Sequence, residues 1–131
     1  MINEDIENPI LQGADQDIEI TIRDEDNDVY DMSGATKLAV VIMYSDYTIL
    51  AKYSKNASSG WKDLDVTDAA TGILRFKIES SETLDALEGK IFAEVKGRWP
   101  DVDYEDGYND TLGQFYIGEI VKSVTNDLTI P

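Results

Sequence analysis

The sequence contains no cysteine and no histidine. Without cysteine, the chain has no disulfide, no thiolate metal site and no thiol nucleophile. Without histidine, it lacks the most common general base and metal ligand near neutral pH, which excludes a Ser-His-Asp hydrolase and an imidazole zinc site. Carboxylates, lysines and tyrosines are the groups that remain for catalysis. We therefore expect a binding or structural protein, not an enzyme.

Basic residues are scarce. The sequence has 11 Lys and Arg residues against 27 Asp and Glu residues, which gives a formal net charge of −16. Such a surface repels phosphate backbones and anionic membranes, so we predict no direct nucleic-acid partner and no membrane partner. The simplest reading of the charge is solubility in a crowded, multi-copy setting. The alternative is that some of the acids bind calcium or face a basic partner.

Long apolar runs are also missing. The longest run, Leu38 to Met43, is far shorter than a membrane span. Met1 is followed by acidic residues, whereas a secretory signal has a basic and then an apolar stretch. We expect a soluble protein made in the cytoplasm. A length of 131 residues fits one domain.

The polar and apolar pattern is typical of β-strands. Residues 17–23 and 72–78 alternate strictly, and residues 37–44 form an apolar, β-branched run that predicts a strand covered on both faces. Further strands are predicted at 48–53, 90–98 and 112–124, with a hairpin turn at 24–28. Residues 80–87 are the one helix-like stretch, with a serine N-cap and Gly89 after its end. The predicted fold is all-β, an antiparallel sandwich or barrel with one short helix near residues 81–87.

The periodicity also sets the predicted domain boundaries. Residues 1–16 show no sustained period and are predicted to be an extended N-terminal arm, with Ile10 and Leu11 holding it to the domain. Residues 17–125 form the β domain, and residues 126–131 are a C-terminal tail. The apolar residues of the arm are candidate contacts to a partner's sheet or groove, and a frayed terminus is the alternative. These candidates are Ile2, Ile6, Ile10 and Leu11.

The loop at residues 99–110 is acidic and aromatic. Asp101, Asp103 and Glu105 stand at alternating positions, as the first ligands of a calcium loop do, but Asp106 occupies the place of the required glycine. Calcium binding there competes with a simpler reading, a solvated hairpin tip.

Aromatic residues in the same loop offer faces on which sugar rings stack. The candidate ligand-binding residues are Trp99, Tyr104 and Tyr108. The competing interpretation is that tryptophans in a small β domain close the ends of its core. Paired carboxylates also serve glycosidases, but among 27 acids no pair is marked out, so we nominate no catalytic residue and no cofactor other than the candidate calcium.

Two passages of turn chemistry resemble a known family. The first runs from Leu11-Gln12-Gly13-Ala14-Asp15 through an alternating strand and the acidic run at 24–28 to Tyr30-Asp31-Met32-Ser33-Gly34-Ala35-Thr36. The second joins Thr67-Asp68-Ala69-Ala70-Thr71-Gly72, a strand, and residues 80–90. Together they resemble the immunoglobulin-like β-sandwich at the N-terminus of phage baseplate upper proteins and in related small tail and head-fibre proteins. The resemblance spans roughly residues 10–125.

The resemblance implies a role in a virion. Domains of this family dock onto other virion proteins, often in symmetric copies, and carry no catalytic residues. We therefore expect a non-enzymatic connector or decoration module of a phage capsid or tail, attached through its N-terminal arm or a sheet edge. The alternative is a carbohydrate- or receptor-binding module that uses the loop at 99–110.

Overall fold

The computed structural model describes residues 8–84 and 86–122. Ile2, Ile6 and the tail at 126–131 lie outside this range, so the predictions for them stay predictions. The described chain is mostly β, with one single-turn helix, α1, at Ser80–Thr83 and a 3₁₀ turn at Ala69–Thr71. The strands are β1 Pro9–Leu11, β2 Gln16–Thr21, β3 Lys37–Tyr44, β4 Ile49–Ser54, β5 Lys62–Asp63, β6 Ile73–Ile78, β7 Gly89–Trp99 and β8 Tyr108–Val121.

The strands form two sheets. The larger has six strands in the order β1-β8-β7-β3-β4-β5, and the smaller pairs β2 with β6. All-β architecture is confirmed, but the expectation of purely antiparallel pairing is wrong. The β1–β8 and β4–β5 pairs are parallel. The β1–β8 pair is parallel because the chain crosses to the smaller sheet straight after β1. Strand β1 therefore pairs with a strand that is distant in sequence and runs in the same direction.

The core lies between the two sheets. Buried apolar side chains from both sheets belong to one cluster, which includes Val40 and Val95 from the larger sheet and Leu74 from the smaller. The rings of Tyr53 and Phe76 meet across the interior with centroids 4.8 Å apart. The alternation seen in the sequence therefore separates a shared interior from a charged surface.

The predicted elements differ from the observed ones mainly at their ends. The last strand starts at Tyr108 and takes in residues expected in the loop. Helix α1 is confirmed as an element but ends at Thr83, and its N-cap is Glu79, not a serine. The Glu79 amide donates to the Glu82 carboxylate at 2.8 Å. This hydrogen bond places the start of the helix at Ser80, one residue earlier than predicted. No helix in the described part of the chain is long and apolar enough to cross a membrane.

Candidate functional site

A short turn between β1 and β2 is fastened to helix α1. The Gly13 amide donates to the Thr83 hydroxyl at 3.0 Å, and the Ser80 amide donates to the Asp15 carboxylate at 2.7 Å. Thr83 is fully buried. The Gln12 side chain adds a hydrogen bond of 2.6 Å to the Ala86 carbonyl. This turn therefore fixes the point at which the chain leaves the larger sheet and enters the smaller one.

Past this turn, the two sheets separate and leave an open cleft between β2 and β8. The cleft has a volume of about 630 Å³. We call it the β2–β8 cleft and define it by all six residues of β2, by residues 8–10 and by residues 115–117. Among the described residues, β2 pairs only with β6, and β1 pairs with β8 from Glu119 onward. The edge of β2 therefore borders this cleft, and residues 115–117 of β8 line its other side.

The hydrogen-bond pattern shows which backbone groups of β2 face the cleft. The Ile22 amide donates to the Gly72 carbonyl at 2.7 Å, in the same register as the β2–β6 ladder. Because hydrogen-bonded pairs alternate along an antiparallel ladder, the amides and carbonyls of Ile18 and Ile20 are directed at β6. Those of the alternate residues are directed toward the cleft, and these residues are Asp17, Glu19 and Thr21.

Two charged side chains line this cleft, and both are acidic. Asp17 and Glu19 are exposed and lie directly across from Lys77 and Arg75 of β6. Glu19 forms an ion pair of 3.0 Å with Arg75, whose guanidinium also binds Asp68. The edge of β2 that borders the cleft thus carries acidic side chains on its exposed face, and the paired positions of β6 carry basic ones.

Apolar side chains line the interior of the same cleft. Ile20 and Ile117 are buried, whereas Ile18 and Phe115 are only partly covered. Partly covered apolar side chains beside the edge of β2 are suited to contact an added strand, which hides alternate side chains and binds through its backbone.

A second groove, of about 810 Å³, is lined by residues of β2, β5 and β6 and by Trp61. The ammonium of Lys52 sits 4.8 Å from the Trp61 ring centroid. At its edge, the Tyr53 hydroxyl donates to the Lys77 carbonyl at 2.6 Å, while Glu82 lies 3.3 Å from the Lys62 ammonium. Burial, with the nearby Glu82 carboxylate, raises the pKa of Tyr53. These polar groups bind one another, so we interpret their role as structural.

The aromatic residues singled out in the sequence belong to two different ring contacts. Trp99 packs edge-on against Tyr30, with ring centroids 6.1 Å apart, and its ring covers Gly97 so closely that a Cβ there would lie 2.4 Å from it. Trp99 therefore caps one end of the core. Tyr108 pairs with Trp99 across the β7–β8 ladder, but its exposed ring meets that of Tyr104, which is also exposed, with ring centroids 5.5 Å apart.

The acidic residues of the same loop are exposed and separate. The Asp101 carboxylate accepts a hydrogen bond of 2.8 Å from the Asp103 amide, which is a local turn. Within residues 8–84 and 86–122, no three acidic side chains are grouped so that they could hold a metal ion. Calcium binding through Asp101, Asp103 and Glu105 stays a prediction.

The arm residues that the structure describes belong to β1. Ile10 is 2% exposed and lies against Gly118, so it contributes to the core and is not available to a partner. Leu11 is 36% exposed. The periodicity at 17–23 identified a strand but missed its free edge, because the edge depends on which strands lie beside it.

No protein-family model, no curated protein and no solved structure matches this sequence.

Proposed function

We propose that this chain is a non-enzymatic structural protein of a phage particle, an immunoglobulin-like sandwich that docks in symmetric copies onto other capsid or tail proteins. The two passages that carry the resemblance support this proposal, because their residues contact each other. Gly13 and Asp15 of the first passage bind Thr83 and Ser80 of the second. Turn residues 65 or more positions apart in sequence thus act together to position the first two strands.

The observation that carries the docking role is the second edge of β2, which no other described strand covers. An exposed strand edge presents a row of amides and carbonyls that can pair with a strand of another chain. Natural edges are commonly protected by proline, by bulges or by charge. Strand β2 has no proline and no register shift against β6, so its charged side chains are its only protection of this kind.

Strand β8 is protected differently. Its pairing with β7 shifts register twice, between Ile91 and Phe92 and between Val95 and Lys96. Such bulges bend and twist an edge and make it a poorer template. Its C-terminal end is covered by β1. Edge docking is therefore assigned to β2, with β8 as the facing wall.

Presence in the particle is the direct test of this function. A tagged copy, expressed during phage growth in the host that carries the gene, should co-purify with intact particles through a density gradient. Quantitative blotting should give the same copy number per particle in independent preparations. A tagged chain that stays entirely in the soluble fraction would refute the proposal. The tag alone, expressed in the same way, is the control.

A second function, carbohydrate or receptor binding, is favoured by the exposed pair of Tyr104 and Tyr108. Paired aromatic faces at a hairpin tip are suited to stack on sugar rings. A glycan array with the purified chain should then give binding that is lost in a Tyr104→Ala, Tyr108→Ala double variant. Tyr47 is 68% exposed in a different hairpin, so Tyr47→Ala is the matched control. An array with no bound glycan would end this alternative.

A further inference from the structure

We infer that the β2–β8 cleft binds an extended segment of a partner protein in which apolar residues alternate with lysine or arginine. This inference rests on the docking function proposed above and specifies its partner. The occupant would lie beside β2 as an added strand. Since β2 has six residues, a segment of about six to eight residues would span it.

The backbone of β2 supplies the binding groups. The amides and carbonyls of Asp17, Glu19 and Thr21 face the cleft, while those of Ile18 and Ile20 are used by β6. An added strand would pair with the outward groups and leave the ladder to β6 unchanged. Main-chain pairing of this kind gives affinity without requiring a particular sequence.

The side chains that line the cleft determine which residues should alternate in the partner segment. An added strand turns successive side chains to opposite faces of the sheet. One face would meet the partly covered Ile18 and Phe115, which favours apolar residues. The other face would lie next to Asp17 and Glu19 on the outer surface of the smaller sheet.

Charge then selects basic residues on that outer face. Across β2 and β6, Asp17 faces Lys77 and Glu19 faces Arg75. A lysine or arginine on the added strand would lie beside Asp17 and Glu19, on the side away from β6. Basic and acidic residues would then alternate from strand to strand. Opposite charges directly across neighbouring strands stabilise a sheet, and like charges destabilise it.

The same argument disfavours a second copy of this chain as the occupant. A two-fold pairing of β2 with itself, centred on Ile18, would place Asp17 directly opposite Glu19 of the other copy. Each copy also carries a net charge of −16. Repulsion at the edge and between the whole molecules therefore opposes self-association and favours a basic partner.

A titration with a defined peptide tests the inference. The probe is an acetylated and amidated peptide of about eight residues that alternates lysine and valine, and the readout is amide exchange by NMR on the full chain. Binding should slow exchange at Asp17, Glu19 and Thr21 and leave Ile18 and Ile20 unchanged. A peptide alternating glutamate and valine should bind about tenfold more weakly or not at all.

Three substitutions at one position separate backbone pairing from charge. Asp17→Pro removes an amide that faces the cleft and spares the ladder to β6, so peptide binding should be lost. Asp17→Ala keeps the amide and should retain binding, reduced by about fivefold or less. Asp17→Lys should reverse the preference between the two peptides. Thermal melts of each variant check that the fold is intact.

Each other outcome identifies a different occupant or none. Protection of the three amides without peptide and at all protein concentrations would assign the cleft to residues 1–7 of the same chain. Protection that rises with protein concentration would assign it to a second copy. Equal binding of the lysine and glutamate peptides would remove the charge argument. Any of these results overturns the inference.

The particle assay separates this inference from the proposed function. If Asp17→Pro is folded and enters particles as well as the unaltered chain does, the cleft is not the docking site, although the structural role stands. If the unaltered chain is absent from particles, the proposed function fails whatever the peptide titration gives.

Discussion

The backbone amide of Ser80 donates a hydrogen bond of 2.7 Å to the carboxylate of Asp15, 65 residues earlier in the chain. Asp15 thereby satisfies an amide at the start of α1 that has no partner within the helix. A side chain from a different part of the chain thus caps this helix, and the contact ties the smaller sheet to the loop before β7.

Removing this contact should destabilise the fold moderately. We expect Asp15→Ala to lower the free energy of unfolding by about 1 kcal/mol, since it leaves the Ser80 amide without its acceptor. Asp15→Asn keeps an acceptor oxygen and should cost less. Urea unfolding at neutral pH measures both. An Asp15→Asn loss as large as that of Asp15→Ala would contradict the capping role.

The buried hydroxyl of Thr83 should contribute more to the free energy of unfolding than the carboxylate of Asp15. Thr83→Val keeps the shape but removes the acceptor for the Gly13 amide, which is 3.0 Å away. An unsatisfied amide in a buried setting costs about 1–3 kcal/mol. Thr83→Ser retains the hydroxyl and serves as the control in the same urea series. Equal stability of the valine and serine variants would show that the hydroxyl is dispensable.

Two glycines with similar backbone angles should respond differently to substitution. Gly72 and Gly60 have φ of 80° and 84°. A Cβ at Gly72 would lie 2.7 Å from the Ile22 carbonyl oxygen, whereas a Cβ at Gly60 would meet nothing within 4 Å. Gly60→Ala should therefore cost only the strain of the left-handed conformation, about 1–2 kcal/mol. Gly72→Ala adds a steric clash with the backbone and should cost clearly more by thermal or urea unfolding. Similar losses at the two sites would contradict the close approach.

Trp99 and Tyr104 belong to the same loop region but should differ in their effect on stability. Trp99→Ala removes the ring that contacts Tyr30 and covers Gly97, and we expect a loss of about 2 kcal/mol or more. Tyr104 is 53% exposed, so Tyr104→Ala should change stability by no more than about 0.5 kcal/mol. Loss of glycan binding in a Trp99 variant would thus reflect the fold, whereas the tyrosine variants report on the surface itself. Comparable melting temperatures for the two variants would argue against Trp99 as a core cap.

The stability contributed by Asp31 should depend on pH. Hydrogen bonds from the Ser33 hydroxyl and amide lower the pKa of Asp31 below its usual 3.8. Because the folded state holds the carboxylate charged, this contribution is complete above pH 3.8 and is lost as the pH falls through the folded pKa.

The urea midpoint of Ser33→Ala, compared with that of the unaltered chain, measures this contribution. The difference should be largest at neutral pH and shrink as the pH falls below 3.8. Ser59 is exposed, and Ser59→Ala is the control, for which no pH-dependent difference is expected. A difference for Ser33→Ala that is constant from neutral to acid pH would contradict the assignment.

Local patterns in the sequence were sufficient for most strands. The run at 37–44 is a strand with the predicted bounds, and the alternating residues at 72–78 correspond to β6 at Ile73–Ile78. These elements follow from the two-residue period of a pleated strand, which is a property of neighbouring residues. The start of β8 was missed because the Tyr108 end of the strand is defined by pairing with Trp99 of β7, and polar residues there show no alternation.

The site depends on pairing partners that no local pattern contains. Asp17 and Glu19 were recognised as the polar face of a strand, but nothing in the sequence says that their backbone groups face an open cleft. That follows from β6 pairing with β2 on one edge and from β8 standing opposite the other. Similarly, Ile10 was expected to serve a partner as well as to hold the arm, and the structure places it in the core against Gly118.

The sequence by itself determined the chemistry available and the class of fold. It excludes thiol and imidazole chemistry, and its strand periodicity and turn residues are enough for an all-β domain, because composition and alternation are local and additive. The tertiary structure alone decided the mixed direction of the larger sheet, the contact of Asp15 with α1 and the acidic edge of β2 that no other described strand covers. Each of these depends on which distant strands become neighbours, and that choice is made by burial of the shared core, not by any single segment.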